Sequence, residues 1–211
     1  MDIYDIIERM RERPSLYIGE KKVSLLKSFL DGYRACEMDN GYFGRENYEL
    51  FPLAFSAFDD FVCYKLKRYA YENWKSMILK RCDGNERRGF DLFYSYFDEF
   101  KNLYMIHGWR IQLLDYNIEW NDSMLHGYRK SVTGEVKPVF DNPLSVCVVE
   151  TNCRAYIILV ETSEDICSAG LFIPSAKEAL ITAEKYFGRL RGWNEFPENM
   201  HNIEFGKPVR I

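Results

Sequence analysis

The sequence predicts an α+β protein, in which a helical N-terminal half packs on a small antiparallel sheet with a C-terminal helix. Three observations support this fold class. Apolar residues recur at helical spacing through much of residues 1–107. Two runs rich in valine and isoleucine, 144–150 and 155–161, are typical of a β-hairpin. Residues 175–187 then have the start and stop signals of a helix.

The composition is typical of a folded globular chain with a sizeable core. The chain has 211 residues, of which 47% are hydrophobic and 28% charged, whereas disordered chains combine low hydrophobicity with high net charge. We expect a single α+β domain over 1–211, with a helical sub-half 1–107 and a mixed sub-half 108–211. Aromatic residues reach 16% and the net charge is -4, which suits binding to a basic partner.

The first predicted helix covers residues 2–13, because an aspartate N-cap precedes isoleucines that fall on one face. Pro14 should end this helix, so we predict an extended turn or short strand over 14–19. Residues 23–38 should form a second helix. Its interior Gly32 is interpreted as a close crossing with another element, since glycine weakens a helix.

The remaining helices of the first half are richly aromatic. A loop is predicted over 39–49, helices over 53–69, 71–82 and 88–106, and a break at 83–85, which reads Asp-Gly-Asn.

The second half begins with a predicted strand from Trp109 to Leu114. Residues 115–142 are polar and read as irregular, and the hairpin follows them. A short strand is expected at 171–173, and the tail after Trp193 is expected to be irregular.

The last helix has the clearest local signals in the chain. Ser175 and Glu178 have the spacing of a capping box, and Gly188 stands where a helix C-cap belongs. The predicted inner face consists of Ala179, Leu180, Ala183 and Phe187.

The N-terminus and the cysteines indicate a cytoplasmic protein. The chain starts with acidic and polar residues and has no apolar run of about 20 residues, so we predict neither a signal peptide nor a membrane span. The six cysteines lie in apolar surroundings without a C-x-x-C pair. We interpret them as small buried hydrophobic residues and predict no metal and no cofactor.

No familiar catalytic motif is present. The sequence contains no phosphate-binding glycine loop, no H-E-x-x-H and no G-x-S-x-G. The three histidines, His107, His126 and His201, are far apart. A nucleophilic pair such as Cys153 with His107 remains an alternative, but we predict no catalytic residue.

Acidic clusters are the candidate binding residues. Charged runs are commonly solvated faces, and the alternative is an acidic binding patch. The first candidate group is Asp59, Asp60, Asp83, Glu86, Asp98 and Glu99, and the second is Glu161, Glu164 and Asp165. The basic residues are interspersed with acids, the nearest to a patch being Lys65, Lys67, Arg68, Lys80, Arg81, Arg87 and Arg88.

Both ends of the chain resemble one group of small bacterial proteins. The string R-P-S-L-Y-I-G at 13–19, the segment around 26–33, and the late strings A-E-K-Y-F-G and L-R-G-W at 183–188 and 190–193 carry the likeness. They resemble immunity proteins of contact-dependent growth inhibition and related polymorphic toxin systems. The middle, about 40–140, does not take part.

This resemblance implies binding without catalysis. An immunity protein binds the C-terminal domain of its cognate toxin, often a basic nuclease, and blocks its active site in the cytoplasm. The implied partner is therefore a protein, with neither membrane nor direct nucleic-acid binding, and the oligomeric state is open. Two alternatives stay open, namely an enzyme with a cryptic site and a regulatory protein associated with nucleic acid.

Overall fold

The computed structural model describes residues 2–39, 50–67, 72–113, 128–130, 136–138, 143–195 and 209–210. Its helices precede an antiparallel sheet that is followed by one more helix, so the predicted α+β class is confirmed. Contacts between Cα atoms divide the chain into two compact units. The first is Met1–Arg45 with Leu53–Asn102, and the second is Glu46–Pro52 with Leu103–Ile211. The single domain predicted over 1–211 stays a prediction.

Among its described residues, the regular elements of the first unit are all helices. Its helices are α1 (Ile3–Glu12), α2 (Pro14–Tyr17), α3 (Val23–Asp39), α4 (Phe58–Lys65), α5 (Trp74–Arg81) and α6 (Glu86–Lys101), with a 3-10 turn at Phe55–Ala57.

Helix α1 forms as the sequence predicts. The Asp2 side chain accepts a hydrogen bond from the Asp5 backbone N–H, and the Asp5 side chain accepts one from the Asp2 N–H, which completes a capping box. Ile6, Ile7 and Met10 are buried on one face.

The extended turn or strand predicted at 14–19 is wrong, because Pro14–Tyr17 forms one helical turn. Proline disfavours helical geometry in the residue before it, and Arg13 is indeed non-helical, with φ -134° and ψ 60°. Proline itself is well suited to the first position of a helix. Gly19 then adopts φ 75°, which redirects the chain towards α3.

Aromatic rings fill the core of the first unit. The Phe58 ring centroid lies 5.3 Å from those of Phe55, Phe93 and Phe100, and 5.9 Å from that of Trp74. Pairs of this geometry contribute about 0.5–1.5 kcal/mol each beyond their buried area. This core joins α4, α5 and α6.

Three predicted helix boundaries need correction. The helix expected over 53–69 is a 3-10 turn followed by α4, and Lys67, with φ 51°, is incompatible with continuing it. The helix expected over 71–82 begins only at Trp74, because Asn73 caps it by accepting from Ser76 N–H at 3.0 Å. The helix expected over 88–106 ends at Lys101.

The interpretation of Gly32 as a helix crossing is also wrong. Gly32 is exposed, and a Cβ built on it would meet no atom within 4 Å. The close approach in the first unit is at Gly89 of α6, where a Cβ would lie 2.8 Å from Val23 Cγ1.

The second unit is built on a six-stranded sheet. Its strands are β1 (Met105–Gln112), β4 (Ser145–Thr151), β5 (Tyr156–Glu161), β6 (Ile166–Ile173), β7 (Asn194–Glu195) and β8 (Val209–Arg210), and a separate hairpin consists of β2 (Tyr128–Lys130) and β3 (Val136–Pro138). The order is β7-β1-β4-β5-β6-β8, antiparallel except that β8 runs parallel to β6.

The predicted hairpin is confirmed as β4 and β5. Val148 faces Ile158, and a tight turn closes the pair, with Thr151 N–H donating to the Ala155 carbonyl at 2.9 Å. Arg154 in that turn has φ 66°.

Other strands are longer than predicted. Strand β1 begins at Met105 rather than Trp109, since Met105 already pairs with Thr151. Strand β6 begins at Ile166 rather than Leu171. Two short strands, β7 and β8, lie in the tail that was expected to be irregular. Of the irregular stretch 115–142, only β2 and β3 lie among the described residues.

Helix α7 (Ala176–Phe187) covers one face of the sheet. Ser175 caps it by accepting from Glu178 N–H at 3.2 Å, and Gly188 ends it with φ 72°. Ala179, Ala183 and Phe187 are buried against a sheet cluster that consists of Ile111, Leu113, Val146, Val148, Ile158 and Val160. Leu180, predicted on the inner face, is 37% exposed.

The cysteines differ in exposure. Cys82 and Cys147 are buried as predicted, whereas Cys36 is exposed on α3, so its interpretation as a buried residue is wrong. Among the described residues, no helix has the length and apolar character needed to cross a bilayer.

Candidate functional site

The first candidate group of acids begins with Asp59 and Asp60 in the first turn of α4. Asp59 Oδ1 accepts a hydrogen bond from Trp74 N–H at 2.5 Å and thus orients the start of α5. Partial desolvation of the Asp60 carboxyl group, and then the neighbouring charge of Asp59, raise the pKa of Asp60. Asp59 therefore has a structural role, while Asp60 is the more exposed of the two.

Glu86 links two helices. Its carboxylate accepts from the Ser24 backbone N–H at 2.9 Å and from the Ser24 hydroxyl at 2.7 Å. Although partial desolvation opposes it, these hydrogen bonds, with Lys75 and Lys22 nearby, hold the pKa of Glu86 below its usual value. Glu86 thereby caps the N-terminus of α3 from the first turn of α6.

Asp98 and Glu99 both form ion pairs on α6. Asp98 Oδ1 lies 2.7 Å from Arg11 Nη2, and Glu99 Oε2 lies 2.5 Å from Lys65 Nζ. The Arg11 guanidinium also lies 4.5 Å from the centroid of the Tyr94 ring. Arg11 is therefore held by an aromatic face and a carboxylate together.

The second candidate group surrounds the end of β5. Glu161 accepts hydrogen bonds from Arg110 and from the Ser145 hydroxyl, the latter at 2.8 Å. Asp165 is buried and accepts from the Thr162 hydroxyl at 3.1 Å. Glu164 is exposed in the same turn.

The nine predicted acids are divided between the two units. Six lie in the first unit and three in the second. The six that accept a hydrogen bond from a residue of their own unit are Asp59, Glu86, Asp98, Glu99, Glu161 and Asp165. The other three, Asp60, Asp83 and Glu164, are exposed. The assignment of all nine to toxin binding stays a prediction.

Some of the basic residues form ion pairs, and others are exposed. Lys65 pairs with Glu99 and Lys80 with Glu72. Arg81, Arg87 and Arg88 are exposed where α5 ends and α6 begins. Arg68 lies outside the described residues.

A different surface, which the sequence analysis did not single out, lies on the α7 side of the sheet. We call it the aromatic ledge and define it as His107, Trp109, Glu150, Tyr156, Ile173 and Glu195. The strand register brings these residues together. His107 faces Glu150, Glu150 faces Tyr156, Tyr156 faces Ile173, and Trp109 faces Glu195.

The rings of the aromatic ledge have fixed mutual geometry. The Trp109 and Tyr156 centroids lie 6.4 Å apart, with 25° between the ring planes. The His107 ring stands edge-on to Trp109, with 4.3 Å between centroids and 87° between planes. Trp109 and Tyr156 are only partly buried, and each packs on the core cluster under α7. This packing limits the rotamers that the two side chains can adopt.

Carboxylates flank these rings. The Glu195 side chain is 70% exposed, and its Oε1 lies 3.8 Å from His107 Nε2. The Glu150 side chain is 13% exposed, and its Oε1 lies 3.0 Å from Nη1 of the exposed Arg154. The aromatic ledge thus combines apolar faces with two acidic groups.

Partial exposure of the aromatic ledge follows from how α7 covers the sheet. Side chains under α7, such as Val146 and Val160, are fully buried. The row containing His107, Glu150 and Tyr156 is only partly buried. The alternation of residues along each strand was the sequence signal that could have indicated the aromatic ledge. Alternation does not show that residues 109 and 156 are neighbours, because that depends on the strand register, which only the folded sheet defines.

The alternative nucleophilic pair gains no supporting contact. Cys153 Sγ lies 3.1 Å from Thr151 Oγ1, while His107 contacts Trp109 and Glu195. His126 and His201 lie outside the described residues. Burial raises the pKa of the Cys147 thiol to about 12, so this thiol stays protonated at neutral pH. In the part of the chain that the structure describes, no three His, Cys, Asp or Glu side chains converge as metal ligands.

Comparison with known proteins gives no relative. No family model, no curated protein and no solved structure matches this chain.

Proposed function

We propose that this chain is an immunity protein that binds and neutralises a cognate toxin domain, of a basic nuclease type, in the cytoplasm. The observation that carries the proposal is the aromatic ledge, where half-buried rings stand beside carboxylates. The resemblance of both chain ends to immunity proteins of contact-dependent growth inhibition supplies the biological setting.

The aromatic ledge has the chemistry of a protein interface. Binding energy in such interfaces concentrates in a few large aromatic side chains that are already held in place. Trp109 and Tyr156 meet that condition, since both pack on the core cluster. Acidic groups at the rim favour a basic partner and accelerate its association. A chain with net charge -4 adds to this effect.

The residues that carry the resemblance have structural roles in the first unit and around α7. Tyr17 packs edge-on against Phe29, with ring centroids 5.9 Å apart. Gly19 and Gly188 both adopt positive φ at the ends of elements. These residues support the fold, which leaves the aromatic ledge as the proposed recognition surface.

Co-expression tests the proposal. This function predicts that the neighbouring gene encodes the cognate toxin. The C-terminal domain of that gene's product is expressed with the full chain, and growth and co-purification are measured. We expect rescue of growth and a stable complex with the wild type. Failure of both with that toxin would overturn the proposal.

Variants of the aromatic ledge locate the binding surface in the same assay. We expect Trp109→Ala to weaken the complex by about 2 kcal/mol or more, roughly 30-fold in Kd. Tyr104→Ala is the matched control, because Tyr104 is an exposed aromatic residue, 43% accessible, outside the aromatic ledge. Thermal melts of both variants separate loss of binding from loss of folding. Equal weakening by the two variants would contradict this location.

A second candidate is a regulatory role with nucleic acid. Exposure of Arg81, Arg87 and Arg88 around one helix junction favours it. In that case the full chain would bind DNA or RNA with an affinity that falls steeply with salt, and Arg87→Ala would weaken binding. No retention of either nucleic acid at low salt would exclude this role.

A further inference from the structure

We infer that the aromatic ledge recognises an arginine side chain of its protein partner. This inference rests on the proposed function and names the chemical group that the surface would hold. A guanidinium would lie against the Trp109 and Tyr156 rings and pair with Glu195 at the rim.

The protein already holds one of its own arginines in this way. In the first unit, the Arg11 guanidinium lies 4.5 Å from the Tyr94 ring centroid and 2.7 Å from an Asp98 carboxylate oxygen. An aromatic face and a carboxylate are thus sufficient to position a guanidinium in this chain. The aromatic ledge presents the same two components on the surface of the second unit.

The rings of the aromatic ledge suit a planar cation. A guanidinium is attracted to the face of tryptophan or tyrosine, and it stacks better than an ammonium because it is flat and weakly hydrated. The 25° angle between the Trp109 and Tyr156 planes keeps both faces similarly oriented. A flat group that lies along the Trp109 ring would therefore be nearly parallel to the Tyr156 ring as well.

Charge at the aromatic ledge indicates which carboxylate is available. Glu150 already holds the Arg154 guanidinium at 3.0 Å, so a guanidinium is accepted at this surface. Glu195 is the more exposed carboxylate. Arg154 would compete with an incoming arginine for Glu150 and repel it. A phosphate group would instead be repelled by both carboxylates, which argues against a nucleic-acid ligand here.

A peptide titration of the full chain tests the inference. The probes are a blocked hexa-arginine peptide and its hexa-citrulline counterpart, which keeps the shape and removes the charge. The readout is the indole N–H signal of Trp109 in an NMR spectrum, assigned with Trp109→Phe. We expect the arginine peptide to shift this signal and the citrulline peptide to leave it unchanged. A hexa-lysine peptide should bind more weakly.

Three variants make the test specific. Glu195→Gln should weaken arginine-peptide binding by about two- to fivefold, the usual effect of one exposed ion pair. Arg154→Ala should strengthen it by a similar factor. Asp91→Asn, which removes an exposed acid of the first unit, should change nothing. An unshifted Trp109 signal, equal shifts with citrulline or lysine, or equal effects of the Glu195 and Asp91 variants would each overturn the inference.

Failure of this inference is distinguishable from failure of the proposed function. If the toxin is neutralised but the arginine peptide leaves Trp109 unshifted, the immunity role stands and the arginine assignment is wrong. If the peptide binds at the aromatic ledge but no toxin is neutralised, the arginine site stands and the immunity role is wrong.

Discussion

Glu86 shows how an acidic side chain that looks available for binding can be used inside the fold. Both of its oxygens accept hydrogen bonds from Ser24, one from the backbone and one from the hydroxyl. Asp59 likewise accepts a hydrogen bond from the Trp74 backbone N–H at the start of α5. Sequence distinguishes neither residue from a solvated acid, because the capped helix is distant along the chain.

The lowered pKa of Glu86 makes its contribution depend on pH. A carboxyl whose pKa is lower in the folded state stabilises the fold above its unfolded pKa, and this stability is lost as pH falls through the folded pKa. We therefore expect Glu86→Gln to lower the free energy of unfolding at pH 7 by up to about 1 kcal/mol. Below the folded pKa the two proteins should converge.

Thermal melts across this pH range check the prediction. Asp91→Asn serves as control, since Asp91 is an exposed acid on the same helix. A difference between wild type and Glu86→Gln that persists undiminished at acid pH would show that the charge of Glu86 is not what stabilises the cap.

At the level of elements, local signals predicted best those features that one segment determines alone. The caps at Asp2 and Ser175, and the hairpin of β4 and β5, were all readable because their signals lie within a few residues. The one-turn helix at Pro14 was missed because the same proline that ends α1 also starts α2. A proline that both stops and starts helices gives an ambiguous local signal.

The candidate site was predictable only in its chemistry. Acidic and aromatic character was evident from composition, but the aromatic ledge depends on three strand pairings that place His107, Glu150, Tyr156 and Ile173 in one row. Register is set by the burial of the sheet face under α7. Sequence spacing alone does not determine which half-buried residues remain beyond that helix.

Two glycines in helices provide a matched test of packing. A Cβ at Gly89 would lie 2.8 Å from Val23 Cγ1, whereas one at Gly32 would meet no atom within 4 Å. We expect Gly89→Ala to destabilise the protein by about 1–3 kcal/mol through overpacking. Gly32→Ala should stabilise it by about 0.5–1 kcal/mol, because alanine is the better helix former.

Chemical denaturation of the two variants measures these opposite changes in the free energy of unfolding. Stabilisation by Gly89→Ala would mean that the Val23 side chain moves aside at little cost. Helices α3 and α6 would then be less tightly packed than the 2.8 Å distance from a Gly89 Cβ to Val23 Cγ1 indicates.

At the scale of the whole molecule, the net charge of -4 affects the association rate of a basic partner more than its dissociation rate. Long-range attraction acts before contact and is screened over about 10 Å at 0.1 M salt.

We therefore expect the association rate with the toxin domain to fall by about tenfold or more between low and physiological salt. The dissociation rate should change much less, because rings packed on the core are insensitive to screening. Stopped-flow or surface-binding kinetics over a sodium chloride series separate the two rates. Glu164→Lys, which reverses an exposed charge outside the aromatic ledge, should lower the association rate and leave the dissociation rate unchanged. If dissociation carried most of the salt dependence instead, ion pairs rather than the rings of the aromatic ledge would hold the complex together.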